Sequence, residues 1–225
     1  MKRSEINAAI RHASLLCEKN GVALPEFSRW NAAAWKAEKE KIPMMRKAML
    51  GWDVTDFGSG DFGHVGAVLF TARNGTLRGE GTPYAEKYII FKEGQFLPLH
   101  FHYKKTEDII NRGVGIMTVE LYRSGGDESV IKTGDVDIYC DGRLVTVKAG
   151  EAFAIGPGNS ITLIPGIYHR FGAKSGDGDL ISGEVSSIND DNIDNRFAGQ
   201  MGRFAKIEED EEILYPLCNE TEKII

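Results

Sequence analysis

Cysteine and histidine are scarce in this chain of 225 residues, which has three of the first and five of the second. Cys17, Cys140 and Cys218 are odd in number and far apart, and none belongs to a Cys-x-x-Cys pair. This pattern excludes both a disulfide framework and a cysteine-based structural zinc site. We therefore expect reduced thiols and a cytoplasmic location.

Long apolar runs and an excess of positive charge are absent as well. No apolar stretch approaches the roughly 18 residues that span a bilayer, and no apolar signal segment follows the first residues. The 27 basic and 33 acidic residues give a formal net charge of −6, which argues against a nucleic-acid partner. The longest run of one charge, residues 208–212, is predicted to be a solvated surface segment.

The N-terminal part of the chain has helical periodicity. Apolar residues recur at helical spacing from Ile6 to Cys17, and Ser4 is placed to cap the first turn. A second helix is predicted over residues 31–41, ending before the next proline. We expect these helices to form an extension, residues 1–50, packed on a larger body.

From about residue 65 onward, short β-rich runs recur between Gly, Pro, Asn and Asp residues. Asp141-Gly142, between two such runs, is typical of a hairpin turn. Evenly spaced strands with turn signals predict an all-β sandwich or jelly-roll barrel over residues 51–205, followed by an acidic C-terminal segment, residues 206–225. The runs are GAVLFTA, KYIIF, LPLHFHY, IMTVELY, VDIYC, LVTV, AFAIG, SITLI, YHRFGA and DLISGEVSS.

Two histidines one residue apart stand out in the stretch LPLHFHYKKTEDI, residues 97–109. Side chains alternate along a strand, so His100 and His102 point to the same side and can reach one metal ion. Glu107 can return on the neighbouring strand, and His169 in PGIYHRF can supply a third imidazole. Three nitrogens and one carboxylate suit a divalent transition metal such as manganese, iron, cobalt, nickel or zinc.

A polar segment, DLISGEVSSINDDNIDNRF at residues 179–197, follows the last of these histidines. It places carboxylates, among them Glu184, and an arginine near the predicted metal. Such a cavity suits a polyhydroxylated substrate, because hydroxyls chelate metals and donate to carboxylates. The alternative is that residues 189–195 form a turn-rich surface loop. The predicted substrate-binding residues are Lys92, Asp190, Asp191, Arg196 and Phe171.

These motifs resemble those of the cupin superfamily. The first cupin motif, G(x5)HxH(x3–4)E, fits Gly94, His100, His102 and Glu107, and PGIYH, ending at His169, loosely matches the second. The resemblance implies an all-β fold, a cupin double-stranded β-helix or jelly-roll barrel with a metal in its mouth, here with an N-terminal helical extension.

Over most of its length the chain is similar to the D-lyxose isomerase family of sugar-isomerase cupins. The shared stretches include GWDVTDFGSGDF, KYIIFKEGQFLPLHFHYKKTEDIINRGVG and SGEVSSINDDNIDNRF. The resemblance implies manganese-dependent interconversion of D-lyxose and D-xylulose, extending to D-mannose and D-fructose. Similar L-ribose isomerases place a metal-bound Glu and a second Glu where Glu107 and Glu184 stand, and a further acid near Asp190 or Asp191.

The chemistry of aldose–ketose isomerisation fits these residues. One proton moves from C2 to C1 and another from O2 to O1, while the metal bridges both oxygens and stabilises an enediolate. We expect Glu184 to be the base that carries the carbon proton, and Glu107 to be both ligand and second proton carrier. An exchange of these two roles is the alternative, and a hydride shift is the rival mechanism.

Two other functions use the same ligand set. A redox cupin, either a dioxygenase or a decarboxylase, would hold iron or manganese there, and a non-catalytic cupin would bind sugar without turnover. The carboxylate- and Asn-rich segment 184–196 argues against the redox cupin, and the intact set of four ligands argues against a pure sugar binder. A homodimer is expected, because cupins often pair barrels through sheet edges.

Overall fold

Antiparallel strands form most of the fold in the computed structural model, which describes residues 1–188 and 193–224. The helices are α1 (Arg3–Lys19), α2 (Ala32–Ala37), α3 (Pro43–Lys47) and α4 (Thr221–Ile224), with a 3-10 turn at Glu26–Arg29. The strands are β1 (Gly51–Thr55), β2 (Ala67–Gly75), β3 (Gly81–Phe91), β4 (His100–His102), β5 (Glu107–Val114), β6 (Met117–Ser124), β7 (Val130–Ile131), β8 (Asp135–Cys140), β9 (Arg143–Lys148), β10 (Phe153–Ile155), β11 (Ser160–Leu163), β12 (Ile167–Ala173), β13 (Leu180–Ser187) and β14 (Asn195–Phe197).

The strands form two sheets that enclose the main core. One sheet has the order β1-β2-β3-β13-β5-β11-β8-β9, and the other has the order β10-β6-β12-β4-β14, with β7 paired to β6. Buried side chains from both sheets, among them Ile89 and Ile109 from the first and Val119 and Phe171 from the second, pack in one cluster. The predicted cupin double-stranded β-helix is confirmed.

Helix α1 covers the outer face of the eight-stranded sheet, because one side of the helix is apolar. Ile6 and Ile10 are fully buried there and pack with Trp52, Phe70 and Ile90 of the sheet. Since side chains alternate along a strand, the same strands supply the barrel core from their other face. The predicted helical extension therefore packs on the barrel, whereas the exact boundaries at residues 50 and 205 stay a prediction.

Turn residues in the sequence correctly predicted the positions of several strands and helices. Asp141 and Gly142 have φ of 49° and 75°, and they join β8 to β9 as the predicted hairpin. Every predicted β-rich run overlaps a strand, although β1, β5, β7 and β14 correspond to none of these runs. The second helix ends at Ala37, and Pro43 begins a new short helix at its first position.

No helix in the described ranges is long and apolar enough to cross a membrane.

The acidic run at residues 208–212 is exposed, as predicted, but it is bound to the first turn of α1. Ser4 donates its backbone N–H and its hydroxyl to the carboxylate of Asp210, at 2.9 and 2.8 Å. Ser4 therefore does not cap the helix as predicted. Instead, the carboxylate of Glu5 accepts the backbone N–H of Lys2, the residue before the helix. Carboxylates beside a helix N-terminus are stabilised by the positive end of its dipole.

Arg3 joins both ends of the chain. Its side chain is fully buried and pairs with Glu209, at 2.8 Å, and with Glu220. These two carboxylates raise the pKa of the guanidinium above its usual value, against the opposing effect of burial. The pairing holds the C-terminal segment against α1 and, through α1, against the barrel.

Replacing Arg3 by methionine should lower the free energy of unfolding by about 3 kcal/mol, because Glu220 is left nearly buried without its partner. Arg11→Met on the same helix is the control, because Arg11 is half exposed and makes only a weak ion pair with Glu211, at 4.0 Å. For this variant we expect the free energy of unfolding to fall by at most about 0.5 kcal/mol. Urea denaturation measures both. Equal losses in the two variants would contradict the structural role of Arg3.

Candidate metal centre

Three histidines meet where two neighbouring strands of the six-stranded sheet run side by side. Strand β4 consists of only three residues, so His100 and His102 share its inward face while the residue between them points away. Strand β12 pairs with β4 so that His169 lies directly opposite His100. The pleat and this register together place three imidazoles at one point inside the barrel.

The donor atoms of these side chains converge. The three histidines each offer a nitrogen, and these atoms lie within 4.8 Å of one another. Nε2 of His100 and Nε2 of His169 are 3.1 Å apart. Oε1 of Glu107 lies 3.2 Å from Nε2 of His102 and 3.3 Å from Nε2 of His169. All four side chains are buried.

Backbone carbonyls orient two of the imidazoles. Nδ1 of His100 lies 2.8 Å from the carbonyl oxygen of Pro98, and Nδ1 of His169 lies 2.9 Å from that of Ile167. A carbonyl only accepts, so each Nδ1 carries the proton and each Nε2 presents its lone pair to the centre. This arrangement of an outer carbonyl and an inner lone pair is typical of metal-binding histidines.

Two of the three imidazoles, those of His100 and His102, are held neutral. Burial, together with the neighbouring imidazoles of His169 and His102, brings the pKa of His100 well below its usual 6.5. Burial and the nearby Lys105 ammonium also lower the pKa of His102. Burial alone would raise the pKa of Glu107, but Lys105 and the adjacent imidazoles bring it well below its usual range. These are the protonation states that a metal ligand requires.

Lys105 joins two buried glutamates beside the histidines. Its Nζ lies 2.6 Å from Oε2 of Glu107 and 3.1 Å from Oε1 of Glu184. Nζ of Lys87 approaches the same oxygen of Glu184 at 3.5 Å, and the hydroxyl of Ser186 donates to it at 2.9 Å. The four charged side chains are at most 4% exposed, so their charges compensate one another with little help from water.

Asp194 fixes the turn that carries Lys105. Its carboxylate accepts the backbone N–H groups of Lys104 and Lys105, at 2.9 and 3.0 Å, and its carbonyl accepts that of Tyr103. Because Asp194 is itself buried, this contact ties the loop between β4 and β5 to the start of β14. The loop therefore holds Lys105 in one place.

The donor set fits a divalent transition metal. Three neutral imidazoles and one ionised carboxylate, all buried and converging, are the ligand types that manganese, iron, cobalt, nickel and zinc accept. Nδ1 of His102 is buried without a hydrogen-bond partner in the described part of the chain.

A small cavity of about 40 Å³ lies against the metal centre, and a larger one of about 560 Å³ adjoins it. Lys87 and Arg203 line both cavities. Arg203 is held by an ion pair with the buried Asp53 and by the hydroxyl of Thr55, which donates to its carbonyl oxygen at 3.0 Å. Phe171 lines the small cavity and lies beside the His169 ring.

The structure brings together some of the predicted site residues but not all. His100, His102, Glu107, His169, Glu184 and Phe171 lie around one cavity. Lys92 does not, because it follows the end of β3 and is exposed near helix α1. Arg196 points outward and pairs with Glu128 at 2.7 Å. Asp190 and Asp191 lie outside the described residues.

Several residues that line the cavity were not predicted from the sequence. Lys87, Arg203, Asn195, Phe57 and Phe197 all border it. Asn195 and Phe197 pair with the two histidines of β4 and so share their inward face, in a register that the packed fold sets. Nothing local in the sequence marks Arg203, which reaches the cavity only because distant segments meet.

Comparisons with known proteins agree over nearly the whole chain. A family model described as D-lyxose isomerase matches residues 1–221. The chain is 41% identical over 228 residues to a D-lyxose/D-mannose isomerase of Escherichia coli O157:H7, covering 98% of both chains. It is 40% identical over 223 residues to a D-lyxose/D-mannose isomerase of Serratia proteamaculans, covering 98% of this chain and 97% of the relative.

Solved structures share the fold at lower identity. An L-ribose isomerase of Cellulomonas parahominis has a TM-score of 0.61 and 18% identity. A variant L-ribose isomerase of Acinetobacter sp. DL28, in complex with L-ribose, has a TM-score of 0.62 and 16% identity. Each comparison covers 92% of this chain and 98% of the other. At these identities the likeness concerns the fold alone.

The metal-stripped protein should lose thermal stability as the pH falls from about 7 to 5.5. Unfolded imidazoles take up protons below a pKa of about 6.5, whereas buried His100 and His102 take them up only at lower pH. Acid therefore favours the unfolded state. Each imidazole held neutral contributes at most about 1.4 kcal/mol per pH unit to this slope. Melting temperatures of chelator-treated protein across this range measure it.

His100→Gln should flatten this pH dependence, because glutamine does not titrate. His64→Gln is the matched control, since His64 is exposed and its variant should keep the wild-type slope. An unchanged slope in His100→Gln would show that these buried imidazoles do not set the acid sensitivity.

Proposed function

The chain belongs to the D-lyxose isomerase family of aldose–ketose sugar isomerases, and we propose that it interconverts D-lyxose and D-xylulose with a bound divalent metal ion. D-mannose and D-fructose are proposed as a second substrate pair, by analogy with the names of the two relatives. The observation that carries the proposal is the buried donor set of three histidines and Glu107, with Glu184 linked to it through Lys105.

His100, His102, His169 and Glu107 would hold the metal. A divalent ion bound there supplies positive charge that stabilises the negative charge developing on the two sugar oxygens of an enediolate. Manganese is the proposed ion, since a carboxylate and neutral imidazoles both suit it.

Glu184 is the proposed carrier of the carbon proton. Its carboxylate takes the proton from C2 of the open-chain aldose and returns it to C1, which yields the ketose. The residue is 3% exposed and lines the small cavity beside the histidines. Strand β13 holds the backbone of Glu184 between β3 and β5, opposite Lys87 and Ile109.

Lys105 is the proposed carrier of the oxygen proton, in place of Glu107. One oxygen of Glu107 accepts from Lys105 at 2.6 Å, and the other faces the histidine nitrogens. Neither oxygen is therefore well placed to exchange protons with a sugar hydroxyl. The Lys105 ammonium can donate a proton to O1 and then accept the proton of O2, so its charge is restored after each turnover.

The polar cavity supports a hydroxylated substrate. Lys87 and Arg203 line both the small cavity and the larger one beside it, so a sugar chain leaving the metal centre meets donors for its hydroxyls. Asn195 adds an amide to the same wall. The substrate of a dioxygenase or decarboxylase requires fewer hydrogen-bond donors than a sugar does.

We also propose a homodimer and a cytoplasmic location. Strand β9 ends the eight-stranded sheet, which supports pairing through that edge. Cys17 and Cys140 are free thiols, which supports a reducing compartment.

Ketose formation from D-lyxose should require added manganese. Protein stripped with a chelator is assayed with D-lyxose, D-mannose, L-ribose and D-xylose, with and without the ion, and the ketose is measured. We expect turnover of D-lyxose and D-mannose only when the ion is present. No turnover of any sugar by metal-loaded protein would overturn the proposal, and oxygen uptake would then test a redox cupin.

His102→Ala should lose bound metal and activity together, because it removes one of the donors. His64→Ala, at an exposed position outside the barrel, is the control and should keep both. Metal content is measured by mass spectrometry after dialysis. Activity that survives in the metal-free His102 variant would show that the reaction does not need the site.

Glu184→Gln should keep its metal while kcat falls about 100- to 10,000-fold, because the amide cannot carry the carbon proton. Glu86→Gln is the matched control: Glu86 lies opposite Val185 on the neighbouring strand and pairs with Arg73 away from the cavity. Full activity in the Glu184 variant would remove it from the mechanism. In D2O the wild type should place deuterium on the sugar carbon, and its absence would instead indicate a hydride shift.

A further inference from the structure

One of the three histidines lacks the outer contact that orients the other two. His100 and His169 each direct Nδ1 at a backbone carbonyl, of Pro98 and Ile167 respectively. Nδ1 of His102 is buried but has no hydrogen-bond partner in the described part of the chain. A buried N–H without an acceptor costs free energy, so an acceptor for His102 is expected close by.

The side chain of Asn195 contains a buried acceptor that also lacks a partner. Its Oδ1 is also buried without a partner among the described residues, and it borders the same cavity. Strand β14 pairs with β4 so that Asn195 lies directly opposite His102. Cβ atoms of directly opposite residues on one face are about 5 Å apart, within reach of a side-chain amide.

We propose that Asn195 is the positioning residue of His102, in a role that rests on the proposed metal-dependent function. The amide oxygen of Asn195 accepts the Nδ1–H of His102 when the metal is bound. This contact fixes the tautomer and leaves Nε2 of His102 to the metal, as the two carbonyls do for the other imidazoles. It satisfies the two buried polar atoms with one hydrogen bond.

Strand β14 would then have a defined structural role. Phe197, two residues further on the same face, lies opposite His100 with its ring centroid 5.5 Å from that imidazole. Arg196 between them faces outward, where Glu128 holds it. One short strand would thus support both histidines of β4.

The test compares manganese affinity in Asn195→Ala, Asn195→Asp and Arg196→Gln, each measured by titration calorimetry on chelator-stripped full-length protein. Asn195→Ala should raise the Kd for manganese about 10- to 100-fold, the usual effect of losing such an outer partner. Asn195→Asp should restore the affinity to within about threefold of wild type, because a carboxylate accepts the same N–H. Arg196→Gln changes the outward side of the strand and should leave the Kd unchanged.

A second readout follows the proton itself. In zinc-loaded protein, which is diamagnetic, the Nδ1–H resonance of His102 should be protected from exchange with water in the wild type and in Asn195→Asp, and lost in Asn195→Ala.

Three results would overturn the proposal: an unchanged Kd in Asn195→Ala, an Asn195→Asp variant as weak as Asn195→Ala, or a raised KM for D-lyxose without a change in metal affinity. The last would make Asn195 a substrate contact. Failure of the wild type to bind manganese would instead refute the proposed function, so the two failures are distinguishable.

Discussion

The ammonium of Lys105, placed between two buried carboxylates, is the interaction on which the rest of the site depends. Glu107 and Glu184 come from different strands of one sheet and face the same nearly dry interior. Two ionised carboxylates so placed repel each other and lose their hydration, which no hydrophobic packing offsets. Lys105 contacts both, and Lys87 contacts Glu184, so the group is neutral before any metal is added.

The surrounding fold serves to hold this charge group in place. Asp194 binds the turn that carries Lys105, and the same residue precedes the strand that closes the cavity beside His102. The Asp53–Arg203 ion pair fixes another segment across the cavity wall. On the outer face of the eight-stranded sheet, Arg3 holds the acidic C-terminal segment on α1. Contacts between residues far apart in sequence therefore build the site.

Local patterns in the sequence predicted the parts of the site that depend on local geometry. The spacing of His100 and His102 implies a common face on any strand, and Asp141-Gly142 implies a hairpin, so both predictions were correct. Lys92 lies away from the cavity, as strand parity could have indicated. Ile89 and Phe91 face the core, so the inward lysine of that strand is Lys87.

Other features depend on tertiary contacts that no spacing encodes. Arg196 has the composition of a substrate-binding residue, but its strand pairs with β4 in a register that turns it outward to Glu128. Arg203 lies in a segment without helix or strand, and contacts with distant residues, among them the ion pair with Asp53 150 positions away, bring it to the cavity. The register of a three-residue strand and an ion pair of this separation are set by the packed fold as a whole.

Charge balance also explains why this cavity suits an isomerase better than a simple container for a metal. The two glutamates and the two lysines cancel, and Arg203 is matched by Asp53. A divalent ion held by the three imidazoles and Glu107 would therefore leave an excess of positive charge in a buried space. The negative charge that develops on the oxygens of a sugar during enolisation would meet this excess, whereas a neutral sugar would not. With a metal bound, the site would thus be better matched to the transition state than to the resting substrate, which is the condition for catalysis.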